Sequence, residues 1–175
     1  ADMDIKATLN NLLIPYTSNY AGTLLPGIRE YTVTPGEKTT TISGKGKAGL
    51  KQEENYYFFY LPVCYKGITG KSYAYYNTSR SKNLYLPASV DENYSYDIQL
   101  PENLTLCTPI QEKKIDNPIG SFKITLTSEG SSLHIELALQ IKKQLITPAE
   151  YPAFRSLITE WTDRTRKPIL FKTVQ

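Results

Sequence analysis

The chain has 175 residues, 40% hydrophobic and 21% charged, enough for one domain that buries roughly two-thirds of its unfolded surface without help from a metal or disulfide. Twenty Lys and Arg against seventeen Asp and Glu leave a formal charge of +3, and the basic residues are scattered, which argues against nucleic acid as the main partner. No apolar run approaches the ~20 residues of a membrane helix and no signal-peptide layout opens the chain, so it is expected to be soluble, and its start at Ala1 reads as a processed or excised piece.

In chain order, Asp4 to Ile14 is compatible with a strand, and Arg29 to Thr34 and Thr39 to Ser43 have β-like composition. Gly44-Lys45-Gly46-Lys47-Ala48-Gly49 has the glycine spacing of a dinucleotide-binding turn. That chemistry requires a helix opening at the loop to receive a pyrophosphate. The residues that follow lead into an aromatic segment instead, so the stretch is expected to be a flexible, lysine-bearing hairpin. Tyr56-Tyr57-Phe58-Phe59-Tyr60-Leu61 has no polar face and is expected to be a central strand covered on both sides. Gly70-Lys71-Ser72 ends like a phosphate-binding loop, but Tyr65 stands where the first glycine belongs, and a turn is expected. Short strands over Ser72 to Tyr76 and Leu84 to Leu86 follow.

From about residue 90 the pattern has period two, as a sheet buried on one face requires. Tyr94, Tyr96, Ile98 and Leu100 form one inward set, with Ser95, Asp97 and Gln99 facing water. Phe122, Ile124 and Leu126 form a second, and Leu133, Ile135, Leu137, Leu139 and Ile141 a third, with a turn at Ser128-Glu129-Gly130-Ser131 between them. Near the C-terminus Thr147-Pro148-Ala149-Glu150 has the form of a capping box, and Tyr151, Phe154, Leu157, Ile158 and Trp161 recur at helical spacing. Pro152 conflicts with a helix opening at Pro148, so the helix starts either there or near Pro152 after a separate turn. Arg164, Arg166 and Lys167 suit the negative end of the helix, Pro168 stops it, and 169–174 reads as a closing strand. The expected fold is therefore mainly β, an antiparallel β-sandwich with one C-terminal α-helix followed by a closing strand, with residues 1–175 as a single domain.

Chemistry-bearing residues are sparse. His134 is the sole histidine, so any Cys-His or Ser-His-Asp mechanism in this chain has to use it. Period two places it on the polar face of its strand, in solvent. Neither the histidine count nor the cysteine spacing allows a metal site, and no cofactor motif survives, so no catalytic, cofactor or metal residue is expected. Cys64 and Cys107 sit in apolar, strand-like surroundings, which favours two buried free thiols over a disulfide. Asn77, Asn93 and Asn103 carry three-residue glycosylation patterns that matter only in a secreted eukaryotic protein. The fourteen tyrosines serve either core and sheet-end packing or an exposed platform for glycan or protein around Tyr73, Tyr75, Tyr76 and Tyr85.

The stretch from Ser79 to Lys172 resembles the C-terminal β-sandwich domain, of unknown function, of three-part bacterial transglutaminase-like proteins. The resemblance rests on Arg80 to Pro87, on 94–101, on Asn117-Pro118-Ile119-Gly120-Ser121-Phe122, and on 146–155 leading to the Pro-Ile-Leu-Phe-Lys segment. In such proteins the catalytic Cys, His and Asp belong to a preceding papain-like domain, and no position here matches them. The resemblance implies an accessory module at the end of a larger exported enzyme, periplasmic or at the cell surface, whose partner is the upstream transglutaminase-like domain of the same polypeptide.

Overall fold

A computed structural model of the protein describes residues 2–11, 30–35, 40–63, 68, 76, 78–109 and 111–174. Seven antiparallel strands form the large sheet, in the order β2(Glu30–Pro35), β3(Thr40–Gly49), β1(Asp2–Asn11), β7(Val90–Gln99), β11(Ser132–Ile141), β10(Gly120–Glu129) and β9(Gln111–Asn117). A four-stranded sheet has the order β4(Lys51–Glu53), β5(Tyr56–Phe59), β13(Ile169–Thr173), β8(Leu104–Leu106), and β6(Leu84–Tyr85) pairs with β12(Leu145–Ile146). The helix, α1(Tyr151–Arg166), lies against β10 and β11. The inner faces of both larger sheets and the helix share one apolar core, the sandwich arrangement expected from the alternation.

All three inward sets read from the alternation are buried, from Tyr94 through Ile141, as are Tyr151, Phe154, Leu157, Ile158 and Trp161 of the helix stripe. Register β10↔β11 closes at Glu129↔Ser132, leaving a two-residue turn in which Gly130 takes φ +56°. That is a left-handed value glycine adopts at no steric cost.

Two expectations are corrected. Residues 44–49 are not a hairpin but the second half of β3, paired with β1 from Ala7↔Gly44 to Asp2↔Gly49. Glycine and alanine alternate with lysine there at period two, so Gly44 and Ala48 face the core while Lys45 and Lys47 face solvent. β5 is central in its sheet, but only Phe59 is buried and Tyr56 and Tyr60 are exposed. Its outer side has no covering layer among the described residues.

The helix opens at Tyr151, after a turn over 148–150. The Glu150 carboxylate accepts from the Thr147 N–H at 3.1 Å and from its hydroxyl at 3.0 Å, so the hydroxyl is spent on the side chain rather than on a helix N–H. With Pro152 lacking a donor, the first turn relies on the Glu150 carbonyl, which accepts from Ala153 and Phe154.

The β9–β10 turn explains one of the recognisable motifs. Asn117 Oδ1 accepts from the N–H groups of Ile119 (2.9 Å) and Gly120 (3.3 Å), while its amide donates to the Ala153 carbonyl at 3.1 Å, fastening the hairpin to the helix start. A Cβ at position 120 would lie 1.8 Å from the Gln140 carbonyl oxygen. The Leu84 to Leu86 strand is present; Gly70-Lys71-Ser72 and the strand expected over Ser72 to Tyr76 lie outside the described residues, apart from Tyr76 itself. Among the described residues no helix is long and apolar enough to cross a membrane.

Candidate functional site

The outer face of the large sheet carries the polar half of every alternating strand, and register assembles those residues into rows. One row crosses β3, β1, β7, β11 and β10 as Lys45, Lys6, Asp97, His134 and Thr127. The next runs Lys47, Asp4, Gln99, Ser132 and Glu129. Together they line an open trough of about 1370 Å³. A smaller depression of about 210 Å³ lies beside it along β7 and β11, past Glu136 towards Lys123. Lysines dominate the β1–β3 flank and carboxylates the β7–β10 flank, so the trough has opposite charges on its two sides.

His134 sits in the middle of this face. Its Nδ1 is 2.7 Å from Asp97 Oδ1 and its Nε2 is 3.4 Å from Glu136 Oε1, with 40% of the side chain exposed. The hydrogen bond to Asp97 raises its pKa above the usual 6.5, helped by Glu136 and opposed by partial burial. Two flanking carboxylates favour the protonated form of the imidazole, and both of its nitrogens face them, leaving none turned to a nucleophile. The Ser132 hydroxyl next along the strand donates to Gln99 Oε1 at 2.9 Å. The site can therefore hold charged or hydrogen-bonding groups, and no activated nucleophile faces it among the described residues. Nor do these residues contain a group of three or more His, Cys, Asp or Glu able to hold a metal ion.

A second polar feature lies inside the core. Glu92 is fully buried on the inward face of β7, where its carboxylate accepts from the Ile68 N–H at 2.6 Å and from the Tyr94 hydroxyl. Burial pushes its pKa above the usual 4.5, and these two donors pull it down by less. The sequence reading missed it, although extending the Tyr94, Tyr96, Ile98 alternation backwards lands on Glu92 and Val90.

Of the tyrosines proposed as a platform, Tyr73 and Tyr75 lie outside the described residues. Tyr76 is half-buried and edge-on to Phe154 at 5.4 Å, and its carbonyl accepts from the Tyr151 hydroxyl at 2.7 Å. Tyr85 is exposed. Tyr56 and Tyr60, expected to be covered on both sides, are the other exposed rings among the described residues, and they stand on and just after β5, in a different sheet from Tyr85. Cys107 is a free thiol, half-buried rather than buried, and Cys64 lies outside the described residues.

Residues 55–171 match the profile of a family described as a domain of unknown function with solved structure, DUF3858. The chain belongs to that family. The match takes in β5 through most of β13 and so includes β7 and β11, which carry the Asp97, His134 and Glu136 cluster. The DUF3858 domain is also similar to the crystal structure of a protein from Parabacteroides distasonis described as a "putative protease", with 31% identity and a TM-score of 0.60. That similarity covers 70% of this chain but 24% of the other, so the DUF3858 chain spans about a quarter of the protein it matches. No curated protein matches it.

Proposed function

We propose that this DUF3858 domain is a non-catalytic accessory module of a larger exported hydrolase of the transglutaminase-like, papain-related kind. It packs against the catalytic domain and positions a polypeptide substrate along the trough. The observation that carries the reading is the similarity to one quarter of a much longer protein described as a "putative protease". It is supported by a trough whose single imidazole is clamped by Asp97 and Glu136 instead of facing a nucleophile. The substrate class follows from the charge layout, since an extended peptide offers both signs of side chain to flanks bearing Lys6, Lys45 and Lys47 on one side and Asp97 and Glu136 on the other.

The test compares the full-length polypeptide that contains these residues with a version lacking 55–171, using a short peptide and an unfolded protein as substrates. The reading expects KM for the protein substrate to rise severalfold on deletion while turnover of the short peptide stays nearly constant. Equal kinetics on both substrates, or a polypeptide with no Cys-His-Asp domain, overturns it.

A second reading, a cell-surface module binding glycan or protein, draws on the exposed rings of Tyr56, Tyr60 and Tyr85. Phe58 and Tyr60 meet at 88° and Lys51 lies 5.7 Å over the Tyr60 ring, an arrangement that offers no flat stack for a sugar and favours a protein partner. Loss of glycan-array binding in a Tyr56→Ala/Tyr60→Ala variant would favour sugar over protein.

A further inference from the structure

The exposed large apolar side chains of the described residues fall into two patches. Tyr85 and Leu145 stand directly opposite each other across β6 and β12. The other four, Tyr56, Tyr60, Leu170 and Val174, gather on the outer side of the four-stranded sheet, with half-buried Phe58 between them, opposite Leu170. Alternation explains the grouping: in β13 Ile169 and Phe171 turn to the core, so Leu170, Lys172 and Val174 turn away from it. Lys51 opposite Phe58 and Glu53 opposite Tyr56 form a charged border on β4, and Lys172, opposite Tyr56, stands between Leu170 and Val174 on β13. An apolar, aromatic centre with a charged rim is the composition of a protein interface.

We infer that this aromatic face, Tyr56, Phe58, Tyr60, Leu170 and Val174, is the surface on which a covalently linked neighbouring domain of the same polypeptide docks, through apolar side chains rimmed by carboxylates. The inference rests on the accessory-module reading and adds the contact surface to it. Size selects the occupant. Exposures of 52% and 47% for Tyr56 and Tyr60, and of 39% and 58% for Leu170 and Val174, amount to roughly 300–400 Å² of apolar surface when an aromatic side chain offers about 150–250 Å². A stable dimer of separate chains needs about 800 Å² from each partner. Contacts between domains of one chain bury about 600–1,500 Å² in total, and the tether supplies an effective concentration near the millimolar range. A patch of this size therefore suits a tethered neighbour and falls short for a second copy. The two lysines against one glutamate in and around the patch call for acidic groups on the partner.

Geometry also keeps the two surfaces apart. The large and four-stranded sheets share one core through their inner faces, so their outer faces point away from each other. A neighbour seated on the aromatic face leaves the His134 trough open.

Hydroxyl-radical footprinting of the 175-residue chain and of the full-length polypeptide tests this. The expected result is ready labelling of Tyr56 and Tyr60 in the chain alone and severalfold protection in the full-length polypeptide, with Tyr85 and His134 labelled equally in both. A Tyr56→Ser/Leu170→Ser variant of the full-length polypeptide, altered only at exposed positions, should restore labelling of Tyr60. Equal labelling of Tyr56 and Tyr60 in the two samples overturns the inference, as does protection that grows with concentration in the chain alone, which would mark a second copy, or a gene encoding no further domain. Protection combined with absent hydrolase activity would leave the docking face standing and remove the hydrolase reading.

Discussion

Replacing Glu92 by alanine and by glutamine separates the two things its buried carboxyl does. Oε1 is the acceptor for the Ile68 N–H at 2.6 Å, and Oε2 takes the Tyr94 hydroxyl. Glu92→Ala withdraws the acceptor from a buried backbone donor, about 1–3 kcal/mol, and leaves unfilled space beside it, so a loss of about 2–4 kcal/mol is expected. Glu92→Gln keeps an oxygen for Ile68 and nearly the same volume, and should cost less than about 1.5 kcal/mol near pH 4. Above pH 4.5 the comparison changes. Burial raises the folded-state pKa of Glu92, so the unfolded chain releases its proton first. The stability this group contributes is complete below the unfolded value and is lost as pH rises through the folded one. The wild type should therefore lose ground to Glu92→Gln as pH rises. Urea unfolding followed by fluorescence is well placed to see this, because Trp161 is the sole tryptophan and is buried 4.9 Å from the Tyr94 ring. Identical midpoints for the alanine and glutamine variants, or a difference between wild type and Glu92→Gln that does not move with pH, would refute the reasoning.

Gly120→Ala should lower the urea midpoint by the equivalent of about 3 kcal/mol, because the new Cβ would meet the Gln140 carbonyl at 1.8 Å and backbone cannot rotate away; an unchanged midpoint would contradict the close approach of β10 and β11. NMR titration of His134 should give a pKa above 6.5 that falls in Asp97→Asn, since the bond to Asp97 is the leading cause of the rise. The corresponding stability is present below the unfolded pKa and fades as pH climbs through the folded one. Glu150 is held down to about 2 by Lys143 and the Thr147 donors, so its contribution is present above 4.5 and lost as pH falls towards 2; Glu150→Gln should flatten the acid side of the stability curve, and an unaltered curve would contradict those bonds.

The parts of the fold governed by short-range periodicity were legible. The inward sets of β7, β10 and β11 and the stripe of α1 follow from side chains repeating every two or every three to four residues, and each of these residues is buried. What escaped depends on partners distant in sequence. Lysine alternating with glycine at 44–49 looks like a turn until β1 is laid beside it and Met3, Ile5 and Ala7 meet the small residues. Asp97 and His134 were each placed facing water, yet only the pairing of β7 with β11 brings them to 2.7 Å. The run from Tyr56 to Leu61 suggested burial on both sides because composition cannot show which layer a sandwich lacks. Glu92 broke the apolar pattern it belongs to, so an alternation counted on hydrophobic residues began after it.

The most direct measurement of the central claim is turnover of an unfolded protein substrate by the purified 175-residue chain alone, beside its His134→Ala variant. The account predicts no hydrolysis or amide exchange above buffer from either. Turnover by the native chain that disappears when His134 is replaced would contradict it.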